Sequence, residues 1–236
     1  MRIAVISDIH ANLEALTKAL QIIDDQKPDE IVCLGDVVGY GPDPNPCVDL
    51  IRERSKVVLM GNHDYAVTHI EATDNFNPVA KEAVFWTRDQ ISADNLEYLS
   101  SLPYTHKSQS VCFVHSTPFE PENWHYVFTW NDALSQFEHF DEKICFIGHS
   151  HVPQIYYSDT NIPMSFELSK QSKYLINVGS IGQPRDGNPR LSFGILDLDK
   201  WQYQPFRSDY EMELTAQKIR DRGLPPFLAD RLIKGR

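Results

Sequence analysis

The chain has 236 residues, 42% of them hydrophobic and 23% charged, a composition that supports a packed core without disulfide staples and argues against long disorder. Its 22 basic and 33 acidic residues give a formal charge of −11, which lacks the basic footprint of a general nucleic-acid or anionic-membrane binder. A small phosphorylated substrate stays compatible with that charge, because bound cations invert a local field.

The N-terminal MRIAVISD reads as a strand start rather than a leader. Residues 3–6 are a buried apolar run, and 12–26 carry Leu13, Leu16, Leu20 and Ile23 at helical spacing. A second buried run covers 31–34, and the turn-rich GYGPDPNP leads into a helix from Pro46 to Arg54. Residues 57–60 form a third strand, ended by Gly61. Strand and helix alternating at this pitch imply right-handed crossovers and parallel pairing. Residues 65–101 read as a helical excursion, with helices over 80–91 and 93–100. Shorter strands follow at 111–114, 144–147, 155–157, 174–178, 191–196 and 202–206, then a helix over 210–220. The expected organisation is a single α/β domain over residues 1–236 with two sheets, the first mostly parallel and the second more antiparallel. No run reaches the roughly 18 apolar residues of a membrane span. Cys33, Cys47, Cys112 and Cys145 form no CxxC pair, and three of them lie in apolar runs, so a reduced, cytoplasmic setting is expected.

The chemistry gathers at the strand ends. The first strand runs into Ser7-Asp8-Ile9-His10, the second into Gly35-Asp36 and the third into Gly61-Asn62-His63-Asp64. Two later strands run into His115 and into Gly148-His149-Ser150-His151. Each piece alone is commonplace, but five of the nine histidines fall at these positions beside Asp or Asn. Open α/β sheets bind ligands at that edge. Imidazoles with carboxylates and an amide suit Mn, Fe, Zn or Ni better than Ca or Mg. Residues i and i+2 of an extended segment face one side, so Asp8 and His10 are expected to reach one ion together. His149 and His151 share that spacing, although a turn after Gly148 can aim them at different ions. Asp36, with two oxygens, can bridge two ions. A metal pair about 3.5–4 Å apart holds a hydroxide and clamps the oxygens of an in-line displacement at phosphorus.

The blocks DIH, GDVVGYGPDP, GNHD, VHSTP and GHSH, in this order, resemble those of the calcineurin-like metallophosphoesterases. DIHANLEAL and the late NVGSIGQPRDGNPR are similar to the small bacterial and archaeal phosphodiesterase and diadenosine-tetraphosphatase-like branch. The resemblance implies a four-layer α/β/β/α sandwich, helices outside two facing mixed sheets. It also implies two divalent transition-metal ions, one held by Asp8, His10, Asp36 and His151 and the other by Asp36, Asn62, His115 and His149. His63 matches the motif histidine that acts on the phosphate as general acid or charge stabiliser. One departure is plain. Where the protein-phosphatase branch reads GDxxDRG, Gly39 replaces the Asp and Tyr40 the Arg. A protein-phosphatase assignment is weakened, and Asp64 or a backbone carbonyl is left to orient His63.

Around this core, Asn12 is read either as a phosphate donor or as a helix cap. Arg185 is read as a phosphate fork or a surface turn, and Arg190 shares its loop. Trp124, His125 and Tyr126 offer an aromatic wall. The expected function is hydrolysis of a small phosphodiester, nucleotide polyphosphate or phosphomonoester by a metal-bridging hydroxide. The rival is a non-catalytic metal-binding interaction scaffold on the same fold, which is expected to lose His63 or some ligands; here all stand. A metal-dependent nuclease conflicts with the charge. The expected partner is a small phosphorylated substrate, with no membrane and no general nucleic acid, and a homo-oligomer is compatible with the sequence.

Overall fold

A computed structural model describes residues 1–158 and 166–236. The chain runs β1 (Arg2–Ile6), α1 (Leu13–Gln26), β2 (Glu30–Cys33), α2 (Pro44–Arg54), β3 (Val57–Val58), α3 (Asn62–Thr68), α4 (Pro78–Gln90) and α5 (Ala93–Ser100). It continues through β4 (Thr105–Ser108), β5 (Val111–Val114), α6 (Trp130–Gln136), β6 (Ile144–Ile147), β7 (Gln154–Tyr157) and β8 (Tyr174–Asn177). It closes with β9 (Leu191–Asp197), β10 (Gln202–Ser208), α7 (Met212–Asp221) and α8 (Pro226–Lys234).

The strands form two five-stranded sheets, ordered β10-β9-β1-β2-β3 and β4-β5-β6-β8-β7. Each holds two parallel and two antiparallel ladders. This corrects the expectation of a mainly parallel first sheet: β9 returns to pair antiparallel with β1, taking β10 with it. The period of two along β1 sorts its side chains. Ile3 and Val5 face Phe113, Phe146 and Ile176 of the second sheet, while Ala4 and Ile6 face Leu16, Leu20 and Ile51 of α1 and α2. On the far side of the second sheet, Cys112, Val114, Cys145 and Ile147 cover Ala133 of α6. The layers are therefore helix, sheet, sheet, helix.

Several elements escaped the sequence reading. β4 is THKS at a sheet edge, half exposed and without an apolar alternation to betray it. Pro44 opens α2 two residues before Pro46. β3 ends at Val58 because Met60 N donates to the Pro103 carbonyl instead of a neighbouring strand. α3 starts at Asn62, and α6 and α8 were not foreseen. α8 packs Leu228 and Leu232 against Ala80 and Ala83 of α4 and Ile219 of α7. No described helix is long and apolar enough to cross a membrane.

Backbone bonds tie the loops together at one edge. Asp8 N donates to the Gly35 carbonyl at 3.0 Å within the first sheet and Gly148 N to that of His115 at 2.8 Å within the second, while Ile181 N donates to that of Ser7 at 3.0 Å and joins the two sheets. All five motif loops meet there.

Candidate metal centre

The loops that follow β1, β2 and β6 place their donors by leaving the strand conformation. Asp8, His10, Asp36, His149 and His151 all have φ between 49° and 63°, in the left-handed region that non-glycine residues visit rarely and at a cost. Asp8 and His10 thus lie on turned rather than extended backbone, and the face-sharing expected of DxH arises another way. His10 N donates to the Asp36 carbonyl at 2.9 Å, which turns both side chains inward.

Two groups of donors result. Asp8, His10, Asp36 and His151 each offer an atom within 4.8 Å of the others, and so do Asp36, His115 and His149. All six residues are buried. Asp36 belongs to both groups, and it does so through one oxygen. Its Oδ2 lies 3.5 Å from His10 Nε2 and 3.4 Å from His115 Nε2, while its Oδ1 accepts from His63 N at 2.8 Å. Asn62, the first residue of α3, has its Oδ1 buried without a hydrogen-bond partner.

The donor chemistry fits divalent cations. His10 Nδ1 lies 3.2 Å from the Val38 carbonyl, and His151 Nδ1 lies 2.5 Å from the Gln183 carbonyl. These acceptors assign the proton to Nδ1 in both rings, the usual outer-shell support of a metal-binding imidazole. The two Nε2 atoms then face each other at 3.2 Å, lone pair toward lone pair. His149 uses Nε2 on the Trp124 carbonyl at 2.9 Å, which leaves Nδ1 as its donor atom. Asp8 Oδ1 and both His115 nitrogens are buried without a hydrogen-bond partner. Orphaned buried polar groups are costly and rare; a cation in the first group would take up Asp8 Oδ1, and one in the second would take up one nitrogen of His115, the other ring nitrogen carrying the proton.

The electrostatics agree for the carboxylates, His149 and His151. Burial pushes the Asp8 and Asp36 carboxyls up, but the surrounding imidazoles hold both well below the usual carboxylate range. Burial and the charge of His115 push His149 down to about 3, and burial with Arg185 pushes His151 down to about 4. Burial also lowers His115, yet Asp36 beside it raises it to about 9.

His63, on the first turn of α3, has no hydrogen-bonded orienter among the described residues. Its Nδ1 is buried and unpartnered, and burial pushes its pKa well down against the pull of Asp36. Packing fixes the ring instead: Tyr40, Phe76 and His10 have centroids 4.3, 5.0 and 5.0 Å away. Gly39, at φ 93°, lies against it so closely that a Cβ there would meet His63 Nδ1 at 2.5 Å. Asp64, expected as a candidate orienter, accepts from Val38 N and Gly61 N, both at 3.1 Å. It holds the loops, and burial beside Asp36 raises its pKa to about 7.

The remaining candidates divide. Asn12 accepts from Ala15 N at 3.1 Å and Thr215 Oγ1 at 3.0 Å, and donates to Gly182 O at 2.9 Å and Tyr210 Oη at 3.2 Å. Every polar atom is committed, so Asn12 is a helix cap with nothing left to offer a phosphate. Arg190 bonds Asn188 on the surface. Arg185 comes to the rim, its backbone N donating to the His151 carbonyl at 3.3 Å. A cavity of about 300 Å³ opens beside His63, Asn62 and His149, walled by Tyr40, Phe76, Trp124 and Tyr126 among others. Tyr126 stacks on His149 at 3.9 Å. His125 points elsewhere, pairing with Glu120 at 3.6 Å on the surface. Phe76 was missed as a site residue because nothing in its local sequence separates a cavity wall from a core aromatic; Tyr40, noted only as standing where the protein-phosphatase motif has its Arg, turns out to line the cavity.

With this geometry in place, comparison with known proteins is decisive. The calcineurin-like phosphoesterase superfamily domain matches residues 1–201. The chain belongs to that superfamily. It is 41% identical to an uncharacterised protein of Methanocaldococcus jannaschii over 99% of this chain and 98% of the other. The crystal structure of a metallophosphoesterase from Sphaerobacter thermophilus is similar over 100% of this chain and 99% of that one, with 39% identity and a TM-score of 0.89. A hypothetical protein from Pyrococcus horikoshii shares the fold, with a TM-score of 0.85 at 17% identity, covering 100% of this chain and 98% of its own. The superfamily and the buried Asp/His groups together support a metal-dependent phosphoesterase.

Proposed function

We propose that this chain is a dinuclear metallophosphoesterase acting on small phosphate esters, diesters or nucleotide polyphosphates rather than on phosphoproteins. The observation that carries the reading is Asp36 Oδ2, shared between two buried donor groups. Asp8, His10, Asp36 and His151 would hold one ion, and Asp36, Asn62, His115 and His149 the other, with Mn, Fe, Zn or Ni suiting the donors. Such a pair, when bound, supplies Lewis acidity at the phosphate oxygens and activates water for in-line displacement.

The chain's own groups do the rest. Val38 and Gln183 carbonyls fix the tautomers of His10 and His151. The buried loops exclude bulk water, which strengthens every charge interaction inside. His63, braced by Tyr40, Phe76 and Gly39, stands at the cavity and holds a proton toward the leaving oxygen or hydrogen-bonds the phosphate. Gly39 and Tyr40 replace the Asp and Arg of the protein-phosphatase motif, and the cavity beside His63 is walled in part by Tyr40, Phe76, Trp124 and Tyr126, which suits a ring-bearing small substrate. The intact ligand set and His63 favour this over an interaction scaffold. The test is a screen of Mn-loaded protein against monoesters, diesters, dinucleoside polyphosphates and phosphopeptides. A small ester or polyphosphate is expected to give the highest kcat/KM; a phosphopeptide in first place would overturn the substrate assignment.

A further inference from the structure

Two arginines from remote parts of the chain meet on Tyr40. The Arg185 guanidinium lies 5.7 Å from the Tyr40 ring centroid, and that of Arg231, on α8, lies 5.6 Å from it. Arg185 donates from Nε and Nη2 to Gln183 Oε1 at 3.1 and 3.0 Å and from Nη2 to Tyr40 Oη at 3.4 Å. Arg231 Nε donates to the Arg236 carbonyl at 2.6 Å. Both side chains are half-buried. Among the described residues neither is in a salt bridge, whereas Arg207, Arg220 and Arg222 each hold an aspartate. Burial and the charge of Arg185 pull the Arg231 pKa down to about 10. Two neighbouring cations without a counter-anion are unfavourable unless a ligand completes them.

Their placement is built in. Lys218 of α7 donates to Glu14 and Asp43, both at 2.6 Å, and Arg222 donates to Asp43 at 3.0 Å. Asp43 is buried. These bonds tie α7, against which α8 packs, to the loop that carries Tyr40. The Tyr40 ring in turn lies 4.7 Å from His10 and 4.3 Å from His63, so the guanidiniums stand one aromatic ring away from the metal donors. The superfamily match ends at residue 201, which leaves Arg231 outside it.

We propose that Arg185 and Arg231, braced on Tyr40, form a subsite for a second phosphate joined to the one being hydrolysed, so that the preferred substrates carry a phosphoanhydride chain. The proposal rests on the phosphoesterase reading of the metal centre. Guanidinium forks match phosphate oxygens in pairs and hold them by charge-assisted hydrogen bonds, and one such bond is worth about tenfold in affinity.

The test is isothermal titration of metal-loaded protein with inorganic pyrophosphate and with orthophosphate, with metal content checked afterwards. The wild type should bind pyrophosphate at least about tenfold tighter than orthophosphate. Arg185→Gln and Arg231→Gln should each shrink that ratio, the double variant should bring it close to one, and Arg231→Lys should keep part of it. An unchanged ratio would overturn the subsite. Parallel weakening of both anions would also overturn it, because the arginines would then grip the scissile phosphate. If Arg231→Gln fails to fold, Arg185→Gln, on a loop, carries the test alone. A ratio that collapses as expected in a protein that hydrolyses no ester would sink the phosphoesterase reading and leave the subsite standing.

Discussion

Asp36 and His63 are neighbours with separable duties. Asp36 joins both donor groups through Oδ2, so Asp36→Asn, which removes its charge, should cost at least one ion per chain and most of the activity. Elemental analysis reads the metal; content equal to wild type would contradict the bridge. His63 belongs to neither donor group, so His63→Ala should keep its metal. As a general acid it should lose about 10²–10⁴-fold on an alkyl or nucleoside ester and far less on a p-nitrophenyl ester, whose leaving group needs no proton. Equal losses on both would assign His63 to charge stabilisation instead. At this scale the sequence was most legible, because each donor follows an apolar run and strand ends converge. Asn12 shows the limit: its type and position suited both a cap and a phosphate donor, and only Thr215 and Tyr210, far along the chain, reveal that its atoms are taken.

The elements hold these residues by close backbone contact. Gly39 has no room for a side chain, since a Cβ would strike His63 Nδ1 and its φ of 93° disfavours any L residue. Gly39→Ala should therefore displace His63 and depress kcat while metal content stays near wild type; unchanged kcat would mean that packing does not orient the ring. α8 acts from the other side. Leu228 is buried against α4 and α7, and Leu228→Ala should cost about 2–5 kcal/mol in a urea titration. A loss below about 0.5 kcal/mol would indicate that α8 is not cooperative with the core. α8 was not read from sequence although Leu228 and Leu232 already stand one turn apart on one face; its nine residues, flanked by Pro225 and Gly235, give a window too short for the period to stand out. The edge strand β4, whose THKS carries no apolar face, was equally silent.

At the scale of the molecule, the two sheets meet through an apolar layer that includes Phe113, Phe146 and Tyr203, and the metal centre sits at the edge where their loops interlock. The alternation of strand and helix made the first three strands readable. The return of β9 beside β1 was not, since antiparallel partners far apart in sequence are chosen by burial and twist rather than by local pattern. Metal binding should stabilise this whole unit, because the donors come from both sheets. At metal about 100-fold above Kd the gain is about 2.7 kcal/mol, or roughly 5–10 °C in Tm for a chain of this size. Chelation should remove that shift in a calorimetric scan, and an unchanged Tm would mean that the donor groups do not bind metal. The most direct single measurement is hydrolysis of a phosphodiester by Mn-loaded protein, followed through chelation and return of Mn, with metal counted at each step. A metal-dependent phosphoesterase should lose its activity with the metal and regain it with Mn; full activity in the metal-free protein would contradict it.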